Sequence, residues 1–194
     1  MVKTLTSNAT YEPSKRSFNW LKLKKDYLDT SIGDSVDLVV VGADYGVGKR
    51  TGYFGSFLLA CWNEDRERLE TVCKVGTGFS DEALQTIHAA LKDLVTSKPP
   101  SNLKFKDKNV DEWISPQMVW EIKAADLSLS PIYQAGVGEV DPEKGIALRF
   151  PRYIRTRNDK KVEEATSHEQ IVEFYRSQAA INVDFNAAND DFDF

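Results

Sequence analysis

Three apolar, β-branched runs follow one another between short polar turns, and this restricts the fold more than any other feature of the chain. They are "SVDLVVVGADYG" (Ser35 to Gly46), "GYFGSFLLACWN" (Gly52 to Asn63) and "LETVCKVGTG" (Leu69 to Gly78). Each is too short for a buried helix and ends at turn residues, so each reads as a strand. The period then changes. In "SDEALQTIHAALKDLV", Ala83, Leu84, Ile87, Leu91 and Leu94 form a helical stripe, with Ser80 as N-cap and acids in the first turn. "TSKPPSNLKFKDKN" reads as a Pro- and Lys-rich loop, and "QMVWEIKAADLSLS" and "GIALRFPRYIRTR" as further strands. A last helix starts at Ser167, where Gln170 completes a capping box, and carries Ile171, Phe174 and Tyr175. Beyond about Ala180, "INVDFNAANDDFDF" is expected to fray.

About five core strands with one helix after the third is the layout of a Greek-key OB barrel, a fold that often grips nucleic acid. The expected fold is therefore mainly β: a five-stranded OB barrel with an inserted helix, a C-terminal helix and an N-terminal strand remnant. An SH3-like barrel or a small sandwich is the structural competitor. With 41% apolar residues among 194, the chain can bury a substantial core. No apolar run approaches the roughly 18 residues that span a bilayer, so no membrane partner is expected. The opening "MVKTLTSNATYEPSKRS" has no apolar signal-peptide segment. Cys61 and Cys73 lie in strand text without a CxxC or Cys/His cluster; they read as reduced core thiols of an intracellular protein, and no metal site is expected.

The net charge of −5 conceals a segregation. Residues 1–25 hold six Lys or Arg against Glu12, and residues 144–161 hold seven against Asp159. Residues 162–194 hold eight acids against Arg176. Basic stretches at both ends of a core suggest a polyanion surface, followed by an acidic solvating tail.

"FNWLKLKKDYL" alternates so that Trp20, Lys22 and Lys24 share one strand face while Leu21 and Leu23 point the other way. Like charges about 7 Å apart repel unless an anion lies between them, so the face is either a solvated edge or a phosphate site. "GADYGVGKRTG" fails as a P-loop. Counting back from Gly48 reaches Ala43 where glycine is required, and Arg50 follows Lys49 in place of Ser or Thr. A flexible loop remains, in which Lys49 and Arg50 could hold a nucleic-acid phosphate. In "LRFPRYIRTRNDKK", alternation puts Arg155 and Arg157 on one face with Asp159 and Lys160 just beyond, a set suited to bidentate phosphate contact. Phe150, between Arg149 and Pro151, is either a core residue or an apolar wedge for a minor groove; spacing alone favours the core. His88 and His168 have no triad partner nearby and read as structural, and no carboxylate pair suggests general acid–base work.

"SFNWLKLKKDYL" and "RFPRYIRTRNDK" resemble motifs V and VI of the ATP-dependent DNA ligases within the covalent nucleotidyltransferases. "KVGTGFSDE" and "VWEIKAADLSLSPIY" resemble the region between them in the eukaryotic DNA ligase I type, and the opening "MVK" resembles the end of motif IV. The likeness runs from about Met1 to Arg176. It implies that Lys3 and Lys22 contact the nucleotide phosphate, with Lys24 supporting the same charge. Arg155, Arg157, Asp159 and Lys160 would be the catalytic motif VI set, orienting the ATP pyrophosphate during enzyme adenylylation. Phe150, after Arg149, would touch the minor groove near a nick, and Lys49 and Arg50 would join the DNA surface.

The family's Lys-x-Asp-Gly nucleophile does not occur in this sequence, nor does its metal-binding glutamate ahead of "MVK". The resemblance therefore implies residues 1–28 as the end of an adenylation domain, 29–165 as the OB domain, 166–180 as a terminal helix and 181–194 as an acidic disordered tail. ATP and Mg²⁺ would serve the intact enzyme, which seals nicks in nuclear DNA through enzyme–AMP and DNA–adenylate intermediates. Its partners would be nicked double-stranded DNA and the adenylation domain. A non-catalytic nucleic-acid-binding OB module and the C-terminal domain of an RNA capping guanylyltransferase are the alternatives.

Overall fold

The computed structural model describes residues 2–6, 9–10, 13–15, 19–21, 35–106 and 110–178. Lys22, Lys24, most of the Phe18–Leu28 alternation and the expected tail lie outside these residues. Near the start, β1 (Val2–Lys3) and β2 (Trp20–Leu21) pair antiparallel, with Lys3 opposite Trp20.

The barrel begins with the meander β3 (Val36–Tyr45), β4 (Phe54–Asn63) and β5 (Arg68–Val75). Helix α1 (Asp81–Leu91) follows, as the stripe predicts. The Ser80 hydroxyl accepts from the Ala83 N–H at 3.1 Å, and Leu84, Ile87 and Leu91 are buried. His88 is structural, its Nδ1 accepting from the Phe54 N–H at 3.3 Å. Leu94, placed on the same stripe by spacing, falls in a single 3₁₀ turn after the helix and is only partly buried.

The expected Pro- and Lys-rich loop is more ordered than its composition suggests. Around it lie β6 (Val95–Thr96), β7 (Leu103–Lys104) and β8 (Glu112–Ile114); β7 adds to β5 in parallel, and β8 pairs with both β3 and β6. This excursion covers the outer side of the meander. As a result β3 is buried on both faces: Val36, Leu38 and Val40 enter the main core, while Val39 and Val41 enter a second cluster with Leu58, Leu69 and Trp113. Double coverage explains why β3 reads as an unbroken apolar run rather than an alternation.

Each of the last two expected strands breaks in its middle. β9 (Val119–Lys123) and β10 (Asp126–Ser130) are separated at Ala124 and Ala125, and β11 (Gly145–Arg149) and β12 (Arg152–Thr156) at Phe150 and Pro151. β10 pairs with β11, whereas β9 bridges β3 and β12, so one long hairpin folds over and serves two sheets. Closure is made on the β5 side. The Gln134 and Ala135 N–H groups both donate to the Thr71 carbonyl (2.8 and 3.1 Å), and the Tyr153 N–H donates to the Thr77 carbonyl (2.9 Å). This is the Greek-key OB barrel with its helix after the third strand.

The second helix, α2, occupies residues 168–178. Its capping box forms as expected: the Gln170 N–H donates to Ser167 Oγ (3.2 Å), and Gln170 Oε1 accepts from the Ser167 N–H (3.0 Å). Ile171 and Val172 enter the main core, and Gln178 makes two bonds with the Leu127 backbone, 2.8 and 3.0 Å. Cys61 and Cys73 are buried free thiols, their pKa values pushed up by burial, hence poor thiolates. Because Ile171 is fully buried, Ile171→Ala should lower unfolding free energy by about 2–5 kcal/mol in urea titration while leaving the m-value unchanged.

Candidate functional site

A row of charged side chains crosses three neighbouring strands. Asp37 of β3 stands opposite Glu121 of β9, and Glu121 stands opposite Arg155 of β12. Directly opposed acids repel, so the row is stable only because cations close on it. Arg155 Nε donates to Glu121 Oε2 at 2.6 Å, and Ser35 Oγ donates to Oε1 at 2.6 Å. The Ser35 hydroxyl first, then the Arg155 guanidinium, hold the Glu121 carboxyl below its usual range.

Simple alternation would give Arg155 the same face as the core residue Tyr153. A register shift between Tyr153 and Arg155 removes the conflict: Tyr153 stays opposite Ile122, Ile154 is the extra residue, and Arg155 emerges opposite Glu121. Past the strand end, the Arg157 N–H donates to the Val119 carbonyl at 2.7 Å, and its guanidinium is held from two sides. Nη1 donates to both Asp37 oxygens (3.1 and 2.9 Å), while Nε and Nη2 grip Asp159 (2.9 and 2.7 Å). Lys160 Nζ donates to Asp37 Oδ2 at 2.7 Å. The Arg157 fork, followed by the backbone N–H of Asp159, pulls the Asp159 carboxyl far below the usual carboxylate range, and these contacts push Arg157 up.

The four predicted motif VI residues are thus brought together, but on unequal terms. The Arg157 side chain is 17% exposed and commits all three nitrogens to carboxylates; Arg155 is 62% exposed and, among the described residues, commits Nε alone. Both Nη groups of Arg155 are left for an anion, and a planar fork fits phosphate oxygens. Asp37 is the participant the motif reading missed. Its signal was a lone acid inside "VDLVVV", because a carboxylate in an apolar strand requires a cationic partner.

A second group gathers where the barrel closes. Lys49 and Arg50 lie in a 3₁₀ turn between β3 and β4; Lys49 is exposed, while Arg50 Nη1 donates to the Gly76 carbonyl at 3.3 Å and Nε lies 3.7 Å from Asp81. Next to Gly76, Thr77 Oγ1 donates to the Pro151 carbonyl at 2.9 Å. The Lys49–Arg50 turn and the bend at Phe150 and Pro151 are therefore both anchored on the adjacent residues Gly76 and Thr77. Phe150 adopts φ +53° and is 58% exposed, which overturns the core placement favoured by spacing. The Arg149 guanidinium sits 5.3 Å from its ring centroid, within cation–π range. Lys3 is exposed on β1; Lys22 and Lys24 lie outside the described residues.

Residues 50–160 match the protein family described as "ATP dependent DNA ligase C terminal region". The chain belongs to this family. The matched span takes in Arg50, Arg149, Phe150 and the whole of motif VI. The ligase region is 56% identical over 179 residues to DNA ligase 1 of Arabidopsis thaliana, covering 92% of this chain and 22% of that protein. It is 54% identical over 181 residues to DNA ligase 1 of Saccharomyces cerevisiae, covering 92% and 24%. The chain thus spans about a quarter of the length of these relatives. In solved structures the barrel resembles the ligase domain of M. tuberculosis LigD, with TM-score 0.53 and 21% identity over 69% of this chain and 38% of that one, a likeness of fold.

The depressed Glu121 pKa has a consequence for acid stability of the ligase region. Its stabilising bonds are complete at neutral pH and fade as pH falls through the usual carboxylate range toward the lower folded value. Glu121→Gln should therefore reduce Tm most near pH 7, and the gap to the parent chain should close as the pH approaches about 3; thermal melts between these limits check it.

Proposed function

We propose that this chain is the OB-fold portion of an ATP-dependent DNA ligase, acting with an adenylation domain that supplies the nucleophilic lysine. The carrying observation is the motif VI arrangement, in which Arg155 presents two Nη groups with no partner among the described residues, beside a guanidinium and a lysine both held by Asp37. The family match and the relatives named DNA ligase 1 support the same reading. ATP supplies the adenylyl group. Arg155 would meet its departing pyrophosphate, while Arg157, Asp159 and Lys160 hold the segment in place and contribute positive field; Lys3, Lys22 and Lys24 would neutralise the nucleotide phosphate. Preorganised cations of this kind lower the barrier to phosphoryl and adenylyl transfer.

The carboxylates at motif VI are all bound to cations, and the exposed Arg155 suits an anionic polyphosphate; Mg²⁺ would be held by the adenylation domain. DNA nicks are the proposed substrate and the nucleus the proposed place of work, in replication and repair. Exposed Phe150, with Arg149, would lie in the minor groove while Lys49 and Arg50 take backbone phosphates. Among the described residues no helix is long and apolar enough to cross a membrane. Residues 1–28 would belong to the adenylation domain, 29–165 to the OB domain, 166–180 to the terminal helix and 181–194 to an acidic tail.

Labelled ATP tests the proposal. The chain alone should remain unlabelled on a denaturing gel, and adding it to a separately prepared adenylation domain should raise that domain's labelling. Arg155→Ala should cut the gain at least about tenfold, as expected for loss of a charged transition-state contact; labelling that is indifferent to the chain would leave a DNA-binding adaptor as the better reading. Phe150→Ala should weaken binding to nicked duplex while leaving the labelling gain intact, measured by fluorescence anisotropy at fixed salt.

A further inference from the structure

We propose that Asp65, His168 and Glu169 form a divalent-metal site that staples the β4–β5 turn to the start of α2. One ligand atom from each lies within 4.8 Å of the other two. Two exposed carboxylates are unremarkable by themselves; a buried imidazole grouped with them is not. His168 is 4% exposed, its Nε2 is 2.9 Å from Glu139 Oε1, and its Nδ1 is buried without a hydrogen-bond partner.

The chemistry of that ring narrows the choices. An ionised Glu139 only accepts, so Nε2 carries the hydrogen and Nδ1 in the neutral ring is a bare lone pair. Asp65 and Glu169 are acceptors too and cannot satisfy it. With a proton on Nδ1 the ring would instead need one of these carboxylates turned onto it as acceptor, and Zn²⁺ titration separates that arrangement from a metal site. A metal ion satisfies the lone pair and both carboxylates together. Carboxylate–histidine–metal is also a recurrent arrangement, in which the carboxylate on the far nitrogen fixes the tautomer and raises ligand basicity.

The scaffold holds the two halves in place without the ion. The Trp62 N–H donates to the Thr166 carbonyl at 3.2 Å, and Trp62 bridges Ser167. The turn is set by Asn63 Oδ1 accepting from the Arg66 N–H at 3.0 Å and by Glu67 in the left-handed region, φ +45°. Bonds of about 2.0–2.2 Å would bring tetrahedral ligands to about 3.3 Å apart. Both carboxylates are on exposed side chains that can rotate inward by that amount, and their exposure leaves the fourth position to water. One imidazole and two carboxylates suit Zn²⁺, Co²⁺ or Mn²⁺. The positive end of α2 opposes a cation, but the two carboxylate charges beside it outweigh the half-charge of the helix.

Titration of the 194-residue chain with Zn²⁺ at pH 7.5, followed by calorimetry and thermal melting, tests the site. The sequence contains only two histidines and two cysteines, and both cysteines are buried, so background binding is small. The expected result is one Zn²⁺ per chain with a rise in Tm, and visible absorption typical of tetrahedral coordination when Co²⁺ is used. Asp65→Asn and Glu169→Gln, both at exposed positions that leave the core unchanged, should each weaken Zn²⁺ binding at least about tenfold and abolish the Tm rise. His168→Gln should remove binding altogether. Absence of binding by the parent chain, or an affinity unchanged from the parent chain in either carboxylate variant, would overturn the proposal.

Discussion

Asp37 fixes the arrangement of everything around the charged face. It is almost buried on the first barrel strand, where an unpaired carboxylate would be strongly unfavourable. Its side chain takes Arg157 and Lys160 from the segment after β12. Its backbone meets Thr166 in both directions: the Asp37 N–H donates to Thr166 Oγ1 at 2.9 Å, and its carbonyl accepts from the Thr166 N–H at 2.8 Å. One residue therefore joins the start of the barrel, the basic segment and the entry to α2. The neighbouring Glu121 makes the requirement stricter, because two acids facing each other across β3 and β9 need both arginines.

This coupling also separates the roles of those arginines. What a guanidinium can offer a phosphate depends on donors not already spent on carboxylates. Arg157 has each of its nitrogens bound to Asp37 or Asp159, and it is largely withdrawn from water. Arg155 is outside, with one nitrogen bound and two available. A polyphosphate approaching this face meets Arg155 first, and reaching Arg157 or Lys160 requires exchange of phosphate for Asp37. Displacing Asp37 would leave its almost buried carboxylate without either cation, so Arg155 is the contact the face offers a polyphosphate at least cost.

The barrel was legible in the sequence because its strands, its inserted helix and both caps depend on local pattern. Ser80 and the Ser167–Gln170 box are decided by residues a turn apart. The features that were not legible depend on distant pairing. β7 is invisible in a loop rich in Pro and Lys because its strand character comes from the edge of β5. The face of Arg155 could not be read by alternation, since a bulge at Ile154 reverses it. Cations at motif VI were legible as a resemblance, whereas their internal partner Asp37 lies about 120 residues earlier and becomes a partner only through the fold.

Phe150 shows how an exposed aromatic can follow from closing the barrel. The Thr77 carbonyl and hydroxyl hold Tyr153 and Pro151, so the start of β12 must press against the end of β5. Gly78 makes that approach feasible: at φ +96°, a Cβ there would lie 2.3 Å from the Tyr153 carbonyl oxygen, a separation no side chain tolerates. With β12 pinned at this level and β11 paired to β10, the chain between them must turn within Phe150 and Pro151. Proline fixes its own φ and brings no N–H to the ladder, so the left-handed conformation falls to the residue before it. A left-handed Phe150 cannot continue the inward series of Ile146 and Leu148, and its ring points to solvent beside Arg149. The apolar wedge is therefore a geometric result of closure, which is why spacing along the strand assigned it to the wrong side.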